Sequence, residues 1–223
     1  VVAHPDDEVL GCGALIRKII CENGHVKLII LGEGSSCRFS LDLIESKEVK
    51  QAIEQRRSFA NQALGVLGVK DVFFGDLPCG RFDRVPIIDI GKLIEQYINE
   101  FCPDTVITHF GQDANSDHRI TFNAVIAATR PTPGTPVKNV LSFETPSSTE
   151  WRFVDTFKPN LFVDVEEYFQ AKIDAFNCYF PTEGGEFPFP RSEMGLLTLA
   201  HYRGMQAGLN CAEAFEIVRN ISS

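Results

Sequence analysis

The sequence predicts a single α/β domain built on a largely parallel β-sheet, with an active site at the carboxyl edge of that sheet. Three observations carry this expectation. Short apolar runs alternate with longer amphipathic stretches, which is the spacing of βαβ units. The first strand ends in a turn crowded with titratable groups, where open α/β sheets place their ligands. A second polar loop follows the fourth strand, and in a parallel sheet the two loops share one edge.

Residues 1–3 read as the tail of a buried strand, and 13–22 as a helix with Ala14, Leu15, Ile19 and Ile20 on its apolar face, ended by Asn23-Gly24. Residues 25–31 (HVKLIIL) form a short apolar strand, followed by a Gly-rich loop at 32–36. The next helix spans 46–67. At 100° per residue, Val49, Ala52, Ile53, Phe59, Ala60, Ala63 and Leu67 fall on one stripe. Arg56 falls in the middle of that stripe, so its guanidinium either snorkels to one end or enters a polar pocket. Residues 71–74 are the third strand. A loop at 75–86 carries Asp76, Arg81, Asp83 and Arg84 into a helix with Ile90, Leu93, Ile94, Tyr97 and Phe101 inward, stopped by Pro103. Residues 105–108 are the fourth strand. The final third adds strands at 140–143 and 161–165 and helices at 167–180 and 196–206, with a loop or lid at 130–137 and a Gly/Pro/Phe-rich loop at 181–190. No second domain is visible in 1–223, and the expected architecture is a Rossmann-like three-layer sandwich.

At 223 residues, with 44% hydrophobic and 23% charged residues, the chain can bury a sizeable core. A formal charge of −9 argues against nucleic acid or an anionic membrane as the main partner, because phosphate contacts need a basic footprint. Seven cysteines, with no CxxC pair, read as reduced thiols of a cytoplasmic protein, not as a disulfide or thiolate–zinc framework. No apolar run reaches the roughly 20 residues that span a bilayer. The chain opens inside a strand without an initiator Met. The N-terminal strand therefore reads as truncated, and an upstream signal or anchor could have been removed.

The first polar loop holds His4, Pro5, Asp6, Asp7 and Glu8. Pro5 stiffens the turn and removes a backbone donor, so the aspartates leave it in fixed directions. Acidic residues near a helix N-terminus are ordinary, which accounts for one carboxylate but not for a His before the Pro and two Asp after it. An imidazole with a carboxylate can bind a metal while a second carboxylate takes a proton. The second loop, 109–119, offers His118 as a third ligand, at the start of a helix whose N-terminus points at the edge, with Ser116 available as cap. Alone, His118 would read as a capping or packed imidazole. Beside His4 and Asp7, metal ligation is the better reading. Asp117 is placed to orient a neighbouring ring. His109 is structural or stands behind the ligands, Glu8 caps the helix or orients a loop, and His25 and His201 have no partners in sequence.

The run His4-Pro5-Asp6-Asp7-Glu8, with Asp117-His118-Arg119 and more loosely Tyr202-Arg203-Gly204 and Ala212-Glu213-Ala214-Phe215, resembles the LmbE-like (PIG-L) metal-dependent de-N-acetylases. Eukaryotic members of that family act on N-acetylglucosaminyl-phosphatidylinositol. The resemblance implies a zinc-dependent hydrolase, with another divalent transition metal as a variant, that removes acetyl from an N-acetylated amino sugar. It implies His4, Asp7 and His118 as metal ligands, Asp6 as general base, and Arg56 as a substrate-binding residue. Members often carry a His three residues before the liganding His, held to stabilise the oxyanion or to protonate the leaving group. Here that position is Asn115, whose amide is the expected replacement. The expected partner is a small amino-sugar conjugate. A homo-oligomer stays open, since relatives include oligomers. Two other classes also stay open: an amidase of the same family cleaving a larger sugar-linked amide, and a non-catalytic sugar or nucleotide-sugar binder. A binder would tolerate loss of the base or a ligand, and this chain retains all four.

Overall fold

The computed structural model describes residues 1–222. In chain order its main elements are α1 (Asp7–Cys21), β1 (Lys27–Gly32), α2 (Lys47–Leu67), β2 (Asp71–Leu77), α3 (Ile87–Phe101), β3 (Thr105–His109), α4 (Ser116–Ala128), β4 (Asn139–Phe143), β5 (Leu161–Asp164), α5 (Phe169–Glu183), α6 (Glu193–Ala207) and β6 (Ala212–Asn220). β1 and β2 pair in parallel, and a second sheet has the order β3-β4-β6-β5. There β3 and β4 are parallel, whereas β6 runs antiparallel to both of its neighbours. Residues 1–3 lie between the two sheets. Val2 bridges Ile30 in parallel, with Val2 N donating to Ile29 O (2.8 Å), Leu31 N to Val2 O (3.0 Å) and Gly32 N to Ala3 O (2.8 Å). On the other side the Val1 amino group donates to Ile107 O of β3 at 2.8 Å. His4 thus leaves this segment level with the carboxyl ends of β1 and β3. β6 is absent from the sequence expectation, because Ala-Glu-Ala opens it with poor strand formers. Pairing with two strands and burial of Phe215 hold it in place.

The helix expected at 13–22 starts earlier, at Asp7, and is broken at Cys12, whose φ of −150° and ψ of 25° join two helical pieces. The break has identifiable partners. Ala14 N and Leu15 N donate to the Glu213 carboxylate at 3.1 and 2.7 Å. Leu10 O, which an unbroken helix would pair with Ala14 N, instead accepts from Lys172 Nζ at 2.8 Å. Lys172 Nζ also lies 2.7 Å from Glu213 Oε1, and both residues are buried. Gly11 is required here, since a Cβ would stand 2.1 Å from the Phe143 ring. Removing one member of a buried pair leaves an uncompensated charge, so Lys172→Met is expected to cost about 3–5 kcal/mol. Urea unfolding followed by circular dichroism reads that loss; an unchanged midpoint would show that the pair does not hold the kink.

α2 is capped at its start by Ser46, whose Oγ accepts from Val49 N at 3.3 Å, and at its end by Gly68 with φ 86°. α4 starts at Ser116, and its cap is Asn115 in place of the expected Ser116: Asn115 Oδ1 accepts from Asp117 N at 2.9 Å. Two apolar cores result. Leu10, Leu64, Phe176 and Leu196 from α1, α2, α5 and α6 share one; Ile90 and Ile94 of α3 and Ala124 and Val125 of α4 form the other with Ile29, Leu31 and Val106. Among the described residues, no helix is long and apolar enough to cross a membrane.

Candidate active site

His4, Asp7 and His118 meet at the carboxyl edge, all three buried, with one potential ligand atom of each within 4.8 Å of the others. Asp7 holds the cluster together. Its Oδ2 accepts from the His4 amide at 2.8 Å and lies 3.5 Å from both His4 Nδ1 and His109 Nε2. Its Oδ1 faces His118 Nε2 at 3.3 Å. On its far side each imidazole meets another carboxylate. His4 Nε2 is 2.9 Å from Asp117 Oδ2; His118 Nδ1 is 3.1 Å from Asp113 Oδ1, though out of line for a hydrogen bond. Carboxylates behind liganding rings fix their orientation and raise their basicity.

The electrostatics favour a cation. Burial opposes charge on His118, but Asp7 and Asp113 outweigh it and push its pKa up to about 10. Burial would raise Asp7, yet His118 and His109 hold it well below the usual carboxylate range. Asp113 is likewise drawn down to about 2, against burial, by His118 and by the Ser148 and Thr149 hydroxyls that donate to it. Three buried carboxylates around two imidazoles form a nitrogen and oxygen donor set that suits a divalent transition metal. A second set, His4 with Cys79 and Asp117, is equally compact. There, however, Asp117 is already engaged: Oδ2 also accepts from Gly80 N at 2.6 Å, and Oδ1 from Phe82 N at 3.3 Å. The first set is the better cation site.

His109 stacks on His118 with ring centroids 3.9 Å apart. Its Nε2 accepts from Ala3 N at 2.9 Å, which places the proton of the neutral ring on Nδ1, 3.4 Å from Thr145 Oγ1. Burial, and then His118, drive its pKa well below the usual value. His109 packs behind the cluster and ties residues 1–3 to β3.

Asp6 stands beside the cluster with φ 112°, a region that non-glycine residues rarely enter. Such strain persists only where the surroundings impose it, and it concentrates at functional sites. The surroundings are dense. Asp6 N donates to Glu8 Oε2 at 3.0 Å, and Glu8 Oε1 accepts from the Tyr179 hydroxyl at 2.7 Å. Burial raises the pKa of Glu8 to about 7. Arg56 Nη2 is 3.1 Å from Asp6 Oδ1, and Arg191 Nη1 is 2.7 Å from Asp6 Oδ2. Arg56 also donates to Pro5 O from Nε (3.0 Å) and Nη2 (2.7 Å), and both arginines pair with the buried Glu183. Of the two courses open to it, Arg56 takes the polar pocket. A cleft of about 750 Å³ lies at the amino ends of β1 and β3, and none of these residues lines it.

Residues 1–129 match the PIG-L family, described as GlcNAc-PI de-N-acetylase. The chain belongs to the PIG-L family. As a PIG-L member it is a hydrolytic enzyme of the deacetylase class. It is 27% identical over 231 residues to the diacetylchitobiose deacetylase of Thermococcus kodakarensis, covering 98% of this chain and 81% of that protein. The N,N'-diacetylchitobiose deacetylase of Pyrococcus horikoshii superimposes with a TM-score of 0.76 at 20% identity, over 98% of this chain and 82% of that one. GalB, the 4-carboxy-2-hydroxymuconate hydratase of Pseudomonas putida KT2440, does so with a TM-score of 0.75 at 22% identity, over 100% and 96%. One fold thus carries different chemistries, so the substrate and the residue roles in this chain are argued from its site.

Three residues of this PIG-L site escape sequence reading. Asp113 carried a signal, lying two positions before Asn115 in the second polar loop. Arg191 is the first basic residue after the Gly/Pro/Phe-rich loop, a weaker cue. Glu183 had none, since it ends a helix and finds Arg56 only through the fold.

Proposed function

We propose that this PIG-L chain is a zinc-dependent amidohydrolase that removes the acetyl group from an N-acetylated amino sugar of the N-acetylglucosaminyl type. The observation that carries the reading is the meeting of His4, Asp7 and His118 beside a carboxylate, Asp6, in strained backbone. The relative acting on diacetylchitobiose supports the substrate class, a small amino-sugar conjugate. The two apolar cores support a Rossmann-like three-layer sandwich in one domain, and seven cysteines outside any disulfide favour a reducing, cytoplasmic setting.

His4, Asp7 and His118 would hold the metal, which when bound polarises a carbonyl and lowers the pKa of water to about 7. Asp6 takes the proton of the attacking water and returns it to the amine as the amide C–N bond breaks, releasing acetate and a free amino sugar. Arg56 and Arg191 fix the direction of the Asp6 carboxylate, which gives Arg56 a positioning role beside the substrate-binding role expected of it. Asp117 and Asp113 orient His4 and His118. Asn115 uses Oδ1 as the α4 cap, so only its Nδ2 can donate to the carbonyl oxygen as charge develops there.

Asn115 can be tested without disturbing the ligands. Asn115→Ala is expected to lose about 0.5–2 kcal/mol of stability with the cap and to lower kcat. Asn115→Asp restores the cap but not the donor, so its Tm should return while kcat stays low. Wild-type kcat in Asn115→Asp would remove the residue from the chemistry. The function itself is tested by measuring acetate and primary amine released from N-acetylglucosamine, its dimer and its inositol conjugate. Equal amounts of both products from at least one substrate are expected. Preference for a bulkier acyl group would make the enzyme an amidase, and binding without amine release would make it a sugar binder.

A further inference from the structure

Two cysteines from different loops meet at the rim of the site. Cys37 lies in the short turn Ser36–Arg38 and is exposed; Cys79 follows β2 and is buried. Their Sγ atoms are 2.9 Å apart. The approach is built into the backbone. The Glu33 carboxylate accepts from the amides of Ser35 (2.6 Å), Ser36 (3.0 Å) and Cys79 (2.7 Å), so one group pins both loops. Gly80, with φ 72°, lets them close, since a Cβ there would stand 3.1 Å from Cys37 Cβ. Other thiols are occupied differently: Cys12, Cys102 and Cys178 each donate to a nearby backbone carbonyl.

We propose that Cys37 and Cys79 are a reversible thiol–disulfide site, closed by a peroxide and reopened by a dithiol. Cys37 is the attacking sulfur. It is the exposed partner, and the hydrogen bond from Cys79 draws its pKa down to about 6 against the opposing effect of burial. Cys79, beside Cys37 and buried, is pushed far upward. The Cys37 thiolate attacks one peroxide oxygen, the O–O bond breaks, and hydroxide leaves and is protonated to water, giving a sulfenic acid. Cys79 then attacks the Cys37 sulfur and releases its proton; the S–O bond breaks, and a second water leaves. Two thiols lose two electrons and two protons, and the peroxide is reduced to two waters. Closure needs only a small movement, to an S–S bond of about 2.05 Å. It also bears on the active site, because Gly80 N donates to Asp117 Oδ2, the oxygen that contacts His4.

The test treats the folded wild-type protein with a few equivalents of hydrogen peroxide, alkylates it after denaturation, and maps its peptides by mass spectrometry. Two of the seven thiols are expected to escape alkylation, within one cross-linked peptide pair holding Cys37 and Cys79, and dithiothreitol should restore both. Cys79→Ser should stop at a Cys37 sulfenic acid that dimedone labels, and Cys37→Ser should give neither product. Seven alkylated thiols after peroxide, a cross-link between other cysteines, or unchanged oxidation in Cys37→Ser would overturn the proposal.

Discussion

His4→Ala and His118→Ala are each expected to leave the folded protein without stoichiometric zinc and without turnover. The cluster offers His4, Asp7 and His118 as protein ligands, and three with an open position is the usual catalytic zinc arrangement. Loss of one leaves two donors and a surplus of buried carboxylate charge. The supporting carboxylates should have smaller effects. Asp113→Asn and Asp117→Asn leave every ligand in place but release a ring, and outer partners of this kind typically contribute about 10–100-fold in metal affinity or activity. Metal content after gel filtration, measured by mass spectrometry, separates the two groups. Full zinc occupancy in both alanine variants would sink the ligand assignment.

Asp6→Asn is expected to keep the metal and lose about 10²–10⁴-fold in kcat, the usual contribution of general acid–base catalysis. The amide retains the shape of the side chain but cannot accept the proton. Because Asp6 sits between Arg56 and Arg191, the substitution also removes a charge that both guanidinium groups contact. Circular dichroism must therefore show a native fold before kcat is interpreted. Asp7→Asn should behave in the opposite way, losing metal first, since Asp7 Oδ1 faces His118 Nε2 at 3.3 Å. If Asp6→Asn loses the metal and Asp7→Asn retains it, the two aspartates exchange roles.

The contrast between these neighbours shows how far the sequence could be read. His4, Asp6 and Asp7 were legible because they crowd one turn, and His118 because it opens a helix after a strand with the same polarity pattern. The position of Arg56 was legible from the 100° stripe, but its partners were not. Glu183 and Arg191 reach it from distant parts of the chain, and no local period encodes that meeting. The start of α1 was hidden for a related reason. Helical apolar periodicity begins after Cys12 because the helix breaks there, and the groups that stabilise the break, Lys172 and Glu213, come from α5 and β6. β6 opens on Ala-Glu-Ala, which has too little strand propensity to announce where the strand starts. Asn115 was noticed as a departure from the family pattern, yet its capping role depends on where α4 starts, which shifts easily by a residue or two.

The central claim is that one ion sits among His4, Asp7 and His118, beside Asp6. Anomalous diffraction at the zinc edge from crystals of the zinc-loaded protein tests it most directly. The account predicts a single strong peak in contact with His4, Asp7 and His118, with the Asp6 carboxylate adjacent but not bound. A peak in contact with Cys79 and Asp117 instead, the competing set around His4, would contradict it.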